Sequence, residues 1–228
     1  CLIGNPVEHS ISPQIHNTIS KYLGADLIYV PFKVAENDVK NAVNGLKALN
    51  VKGFNVTIPY KNEIIKYLDE VTEEAQLVGA VNTVKNESGR LVGYNTDMDG
   101  FYRSFREESG TGFTGKKVLL IGAGGAARAI AIIAAKDKAS RINIANRTAE
   151  KAIGLTKLID RHFSSCCRAY SFKKLAEENI VGQSDIIINT TPVGMHPNVD
   201  ESPLSDSRNF RKGQIVYDVI YNPLETKL

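Results

Sequence analysis

The sequence has no tryptophan, two methionines and only three cysteines in 228 residues. The cysteines are Cys1 and the adjacent pair Cys166 and Cys167, with neither metal-ligand spacing nor the look of a disulfide framework. They are expected to be reduced and incidental, and no metal is expected. No apolar run approaches the roughly 18 residues of a membrane span, and no signal-peptide pattern opens the chain. A soluble cytoplasmic protein is implied. The net charge is only +3 and no basic stretch is interleaved with aromatics, which argues against a nucleic-acid partner. Repeats and low-complexity segments are also missing, and the length suits two α/β domains. Monomer and homodimer both stay open, because pattern alone does not separate an exposed interface from core.

What is present begins with a strand-turn-helix cassette near the middle of the chain, KKVLLIGAGGAARAIAIIAA from residue 116. Val118 to Ile121 is a continuous apolar run of the kind a strand buried on both faces shows. It stops at Gly122-Ala123-Gly124-Gly125-Ala126-Ala127, a G-x-G-x-x-A pattern. Gly122 permits the tight turn, Gly124 lets backbone approach a pyrophosphate, and small Ala127 lets the next helix pack on the strand. Helix formers run to Ala135, and a second strand, Arg141 to Ala145, follows at the distance a βαβ unit requires. A dinucleotide site is expected here.

The end of that second strand bears on which nucleotide. An NAD site usually carries Asp or Glu there for the ribose 2′-hydroxyl, whereas this chain has Asn146-Arg147-Thr148 with Lys151 one turn on. Arg147 can stack on adenine and pair with a 2′-phosphate, Asn146 and Thr148 can donate hydrogen bonds, and Lys151 adds charge. NADP(H) is the better fit. A plain helix N-cap at Asn146 or Thr148 beside solvated cations is the alternative.

The first hundred residues alternate strand and helix. An apolar start at Cys1 to Ile3 is followed by a helix over 13–23, a strand over 27–32, a helix over 36–49 and a strand over 53–58. Helices over 61–68 and 72–77 come next, then a strand pair, 80–85 and 90–94, turned by Asn86-Glu-Ser-Gly89. A last strand is expected over 214–220.

Three polar clusters fall where these strands end, the place ligands occupy in open α/β sheets. In His9-Ser10-Ile11-Ser12-Pro13, Ser12 before Pro13 reads as an N-cap, while Ser10 is not needed for the cap. Two hydroxyls beside the positive end of a helix would hold a small carboxylate. In Asn55-Val-Thr57-Ile-Pro59-Tyr-Lys61, alternation puts Asn55 and Thr57 on one face, and Lys61 arrives at the mouth of the next helix, where the dipole opposes it. In Gly93-Tyr-Asn-Thr96-Asp97, preceded by Gly79-Ala-Val-Asn82-Thr83, Asp97 or Thr96 either caps a helix starting near Met98 or serves a site. A nicotinamide-dependent reduction needs a proton donor for the oxygen that becomes an alcohol, and Lys61 with Asp97 can supply it.

HSISP at 9–13, GFNVTIPYK at 53–61, GAVNT at 79–83, GYNTD at 93–97, GAGGAARA at 122–129, NRT at 146–148 and NTTPVGM at 189–195 resemble the shikimate/quinate dehydrogenase family in order and spacing. The resemblance implies an α/β fold of two domains. These are an N-terminal α/β substrate-binding and catalytic domain over 1–97 and a Rossmann-type NADP-binding domain with a parallel sheet over 98–228. It implies that Ser10 and Ser12 bind a substrate carboxylate and that Asn55, Thr57, Asn82 and Asp97 bind ring hydroxyls. Lys61 and Asp97 then form the catalytic pair, and Tyr221 lies near the carboxylate. Gly122, Ala123, Gly124, Gly125, Ala126, Asn146, Arg147, Thr148, Lys151 and Thr190 are left to the cofactor. The implied reaction is NADPH-dependent, reversible reduction of 3-dehydroshikimate to shikimate, a step toward aromatic amino acids.

Lys151 stands where some members carry Arg, which keeps the charge but loses the planar fork. A quinate/shikimate dehydrogenase using NAD(P) and a non-catalytic nucleotide-sensing protein are the competing readings. Hydride transfer by such a pair of domains would call for a hinge near 96–100. The family's chains also continue with a Gly-rich segment, a substrate-touching Gln and helices that return to the first domain. On that reading the sequence begins and ends inside a longer chain.

Overall fold

The computed structural model describes residues 1–163, 167–204 and 209–228. Cys166 lies outside them. The chain forms two compact units, Cys1–Asp97 and Met98–Leu228.

The first unit is built on a mixed sheet. Its elements are β1 (Leu2–Gly4), α1 (Ser12–Tyr22), β2 (Pro31–Lys33), α2 (Val39–Ala48), β3 (Gly53–Val56), β4 (Glu70–Val71), α3 (Glu73–Val78), β5 (Thr83–Glu87) and β6 (Arg90–Tyr94). The strand order is β2-β1-β3-β5-β6-β4. β1 pairs in parallel with β2 and β3, and β5 runs antiparallel to both β3 and β6. Phe54 and Val56 turn to the core with Ile3, Ile64, Val84 and Leu91, while Asn55 and Thr57 alternate with them and stay half-exposed. Tyr60 is buried at 1% exposure, its hydroxyl donating to the Val34 carbonyl at 2.7 Å, and this anchors the turn that carries Lys61.

Several expectations for this unit change. The strand expected over 27–32 forms only as the short β2. Ahead of it the Asn17 side chain takes both the N–H and the C=O of Tyr29, so the backbone there is satisfied without a ladder. The helix expected over 61–68 is a 3₁₀ segment, Glu63–Tyr67, followed by extended Leu68 leading into β4, a strand the sequence reading lacked. The helix over 36–49 opens with a 3₁₀ turn, Glu36–Asp38, before α2. β5 runs on to Glu87, so the hairpin closes on the two-residue turn Ser88-Gly89, both at positive φ (55° and 95°). α3 is capped by Thr72, whose hydroxyl accepts from Ala75 N–H at 3.4 Å, and ends at Gly79 in the left-handed region, φ 70°. That left-handed residue turns the chain toward Asn82.

The second unit holds a five-stranded, wholly parallel sheet. α4 (Thr96–Ser109) leads into it; then come β7 (Lys117–Ile121), α5 (Gly125–Lys136), β8 (Arg141–Ala145), α6 (Ala149–His162), β9 (Cys167–Tyr170), α7 (Phe172–Glu177), α8 (Ile180–Gln183), β10 (Ile186–Asn189) and β11 (Ile215–Asp218). The order β11-β10-β7-β8-β9 makes β7 the strand from which the chain winds first one way and then the other. Val118 to Ile121 and Ile186 to Ile188 are all 0% exposed, as a parallel sheet buried on both faces requires. Phe105 and Phe113 stack at 4.7 Å beside Tyr217, closing the core around α4. Among the described residues no helix is long and apolar enough to cross a membrane.

Candidate active site and dinucleotide turn

In the first unit β3, β5, β6 and the start of α4 bring five of the expected residues, Lys61, Asp97, Asn82, Asn55 and Thr57, to one region. Lys61 leaves the Tyr60 turn, and its Nζ lies 2.6 Å from Asp97 Oδ2. The other Asp97 oxygen accepts from Asn82 Nδ2 at 2.7 Å. Asn82 is 8% exposed. It also donates to Thr96 Oγ1 at 3.0 Å and accepts the Thr96 N–H at 2.9 Å, which fixes the first turn of α4 and the carboxylate on it. Asp97 is thus inside that first turn and not before it, and its oxygens go to side chains. The Lys61 side chain is 31% exposed and that of Asp97 54%, so the pair is open to a ligand and to solvent. The dipole argument for Lys61 falls with the missing α-helix; its position rests on the Tyr60 anchor.

Asn55 Nδ2 donates to the Asn82 carbonyl at 3.2 Å and to Thr83 Oγ1 at 3.1 Å. Thr83 Oγ1 in turn lies 3.1 Å from Asn82 Oδ1. Thr57 is half-exposed and its carbonyl accepts from Tyr60 N–H at 3.0 Å. The serine cluster differs from expectation. α1 starts at Ser12 with Ile11 as N-cap and Pro13 in its first turn, and no side chain caps it from Ile11. The Ser10 hydroxyl accepts the Ser12 N–H at 3.2 Å, so Ser10 takes the local capping role the sequence reading had given to Ser12. The Ser12 side chain is released from that duty.

Next to Ser10, the Glu8 carboxylate is pushed down to about 2, first by its 2.8 Å bond to Lys33 and then by backbone N–H groups at Glu8 and Val7. A folded-state value below the unfolded one means that this contact's contribution is complete above the ordinary value of 4.5 and is lost as pH falls toward 2. Carboxyl NMR titration is expected to place the Glu8 midpoint near 2; a midpoint near 4.5 would show the Lys33 contact absent in solution.

In the second unit, Gly122, Asn146 and Thr190 stand at the carboxyl ends of β7, β8 and β10, adjacent strands around the point where the winding reverses. Gly122 has φ 113°, and its N–H donates to the Ala145 carbonyl at 2.7 Å. Thr190 Oγ1 donates to the Ile121 carbonyl at 2.7 Å. Gly124 is the N-cap of α5, with no side chain capping it and no acid in the first turn. A Cβ on Gly124 or Gly125 would meet nothing within 4 Å. Exposed backbone amides at an uncapped helix start suit a pyrophosphate. Thr148 is the N-cap of α6 but its side chain makes no cap bond, and Asn146 Nδ2 donates to the Thr148 carbonyl at 2.9 Å. Arg147, Thr148 and Lys151 are exposed. A cavity of about 250 Å³ joins Ala123 of the turn to Lys151 and Arg128, with Gly154, Leu155 and Leu158 as its other walls. Arg128 is absent from the residues read from sequence; burial lowers its pKa, and only its place in the second turn of α5 hints at it. Asn189 and Asp218 were also not anticipated. Asn189 is fully buried and donates to the Asp218 carboxylate at 3.1 Å, and its Oδ1 accepts the Thr191 N–H at 3.0 Å, holding the loop after β10. Tyr221 follows β11 in this unit and is 86% exposed. Among the described residues no group of His, Cys, Asp and Glu could hold a metal ion.

A glycine turn at the reversal point of a parallel sheet, in a chain whose other unit carries a Lys–carboxylate pair, defines the class of two-unit α/β proteins that work with dinucleotides. Comparison with known proteins is more specific. Residues 2–84 match the profile described as the shikimate dehydrogenase substrate binding domain, and residues 105–222 that of shikimate / quinate 5-dehydrogenase. A protein of Caldanaerobacter subterraneus named shikimate dehydrogenase (NADP(+)) is 49% identical over 225 residues, 99% of this chain and 79% of its own length. The crystal structure of shikimate 5-dehydrogenase from Listeria monocytogenes, in complex with shikimate and NAD, gives a TM-score of 0.93 at 38% identity, covering 99% of this chain and 79% of that one. That of the Thermus thermophilus enzyme, in complex with NADP(H) and shikimate, gives 0.81 at 28% identity, covering 97% and 78%. The chain belongs to the shikimate dehydrogenase family.

Proposed function

We propose that the protein is an NADP-dependent shikimate dehydrogenase, reducing 3-dehydroshikimate to shikimate reversibly on the route to aromatic amino acids. The observation that carries the chemistry is the 2.6 Å contact between Lys61 and Asp97, held from behind by Asn82. NADPH, when bound, supplies the hydride. Lys61 donates a proton from Nζ to the carbonyl oxygen of the substrate as that oxygen becomes a hydroxyl, and it regains a proton from solvent through its open side. Asp97 keeps the ammonium aimed and accepts a substrate hydroxyl. In the reverse direction Lys61 takes the proton back.

In this reading the first unit binds substrate. Ser10 and Ser12 hold the carboxylate, and Asn55, Thr57 and Asn82 sort the ring hydroxyls. Tyr221 is assigned to the carboxylate as well. The second unit binds the cofactor: Gly122, Ala123, Gly124, Gly125 and Ala126 cradle the pyrophosphate. Asn146, Arg147, Thr148 and Lys151 take the 2′-phosphate, and Thr190 lines the nicotinamide end. A cytoplasmic location is part of the proposal, since NADPH is supplied there.

Calorimetric titration tests the cofactor assignment. Wild type is expected to bind NADPH more tightly than NADH. Arg147→Ala should weaken NADPH by about tenfold or more while leaving NADH nearly unchanged, because one charge-assisted phosphate contact is lost. Tighter NADH binding by wild type would overturn the assignment to NADP and favour a quinate-type reading.

A further inference from the structure

The geometry points to Tyr29 as a positioning residue that sets the hydrogen-bonding state of Asn55 in the substrate site. This rests on the assignment of Asn55 to a substrate hydroxyl. Tyr29 is set in a stretch, residues 21–33, in which every other residue is exposed. Ile28 on one side is 84% exposed, yet Tyr29 is half-buried. Two neighbouring residues of α1 hold it there. Asn17 accepts the Tyr29 N–H at 2.7 Å and donates to its carbonyl at 2.9 Å, a two-point clamp on the backbone. The His16 ring stacks on the Tyr29 ring, with centroids 4.3 Å apart and planes 11° from parallel. The hydroxyl so placed donates to Asn55 Oδ1 at 2.7 Å. Burial pushes the Tyr29 phenol up to about 12, so it remains a donor through the neutral range.

The consequence follows from counting the Asn55 amide. Both Nδ2 hydrogens are committed, to the Asn82 carbonyl and to Thr83 Oγ1. The reversed amide would set Oδ1 against the Asn82 carbonyl, two acceptors facing each other, so the orientation is fixed. Of the two lone pairs on Oδ1, Tyr29 takes one. Asn55 therefore meets a ligand with a single acceptor and no donor, and it selects a hydroxyl that donates. From Tyr29 the polar contacts continue through Asn55, Thr83 and Asn82 to Asp97 and Lys61. Hydrogen bonds in such a chain polarise one another by a modest amount per bond, so the loss of the first donor is felt most at Asn55 and least at Asp97 and Lys61.

Tyr29→Phe removes the hydroxyl and keeps the ring against His16. In the free protein, the side-chain amide NMR signals of Asn55, identified by their loss in Asn55→Ala, should shift in Tyr29→Phe and also in Asn17→Ala, which releases the clamp without touching the hydroxyl. In turnover, Tyr29→Phe should raise KM for 3-dehydroshikimate about fivefold, with kcat, KM for NADPH and Tm little changed. In an Asn55→Ala background the same substitution should change KM less than about twofold, the sign of two residues acting through one contact. Unmoved Asn55 signals would overturn the proposal, and so would equal fold-changes in the two backgrounds. If wild type turns over no 3-dehydroshikimate while the Asn55 signals shift as expected, the assigned reaction fails and the positioning contact stands.

Discussion

Lys61→Ala is expected to lower kcat for 3-dehydroshikimate reduction by about a thousandfold, within the range that removing a positioned general acid costs. kcat and kcat/KM should fall together, since the lost proton donation belongs to the transition state and not to ground-state binding. The fold should tolerate the change. The Asp97 side chain left behind is 54% exposed and keeps its bond from Asn82, so water can replace the ammonium. An exposed ion pair contributes about 1 kcal/mol or less, so Tm should move little. Asp97→Asn preserves the size and one acceptor oxygen but removes the anion that holds Lys61; a loss of about a hundredfold is expected. Unchanged turnover in both variants would remove the mechanism, whereas a loss accompanied by unfolding would show that the pair is structural.

Gly122→Ala should be the most damaging single change in the cofactor unit. At φ 113° an L-residue is strained, and the added Cβ would sit 2.3 Å from Thr190 Oγ1 and 3.2 Å from Thr191 Cγ2. Relief requires Thr190 to give up its 2.7 Å bond to the Ile121 carbonyl, at the junction of β7 and β10. Backbone strain and overpacking together should cost about 3 kcal/mol, visible as a lowered Tm, and NADPH affinity should fall by about a hundredfold or more. Gly124→Ala is the matched control. Its φ is −87° and no atom lies within 4 Å of the new methyl, so Tm should hold. NADPH should nevertheless bind more weakly if the pyrophosphate approaches that backbone. Wild-type stability in Gly122→Ala would contradict the packing account, and unchanged affinity in Gly124→Ala would contradict the placement of the phosphates.

Where local physics dominates, the chain is legible. The run Val118 to Ile121 reads as a doubly buried strand because each of its side chains is apolar, and the glycines after it admit few other turns. Arg141 to Ala145 and Arg90 to Tyr94 read at their observed bounds. Tertiary contacts decide what could not be read. The apolar run over 27–32 suggests a strand, but Asn17, twelve residues earlier than Tyr29, takes the backbone groups a ladder would need. Two β-branched residues at Ile64 and Ile65 sit in a tight 3₁₀ segment because Ile64 is pulled to 0% exposure in the core. In the site, the motif residues name Lys61, Asp97, Asn55 and Asn82, whose side chains the structure links. The residues that orient them, Tyr29 and Thr83, carry no signal of their own, since a tyrosine in an apolar stretch and a threonine in a strand fit ordinary packing equally well. Ser10, expected to play no part in the cap, accepts the Ser12 N–H, a local bond that the residue pattern alone does not single out.

The most direct test follows NADPH absorbance on mixing the wild-type chain with 3-dehydroshikimate, with shikimate measured as product and Lys61→Ala run alongside. NADPH is expected to be consumed one for one with shikimate formed, NADH to be oxidised more slowly, and nearly all the rate to be lost in Lys61→Ala. No substrate-dependent oxidation by wild type, or a rate in Lys61→Ala equal to that of wild type, would contradict the proposed mechanism.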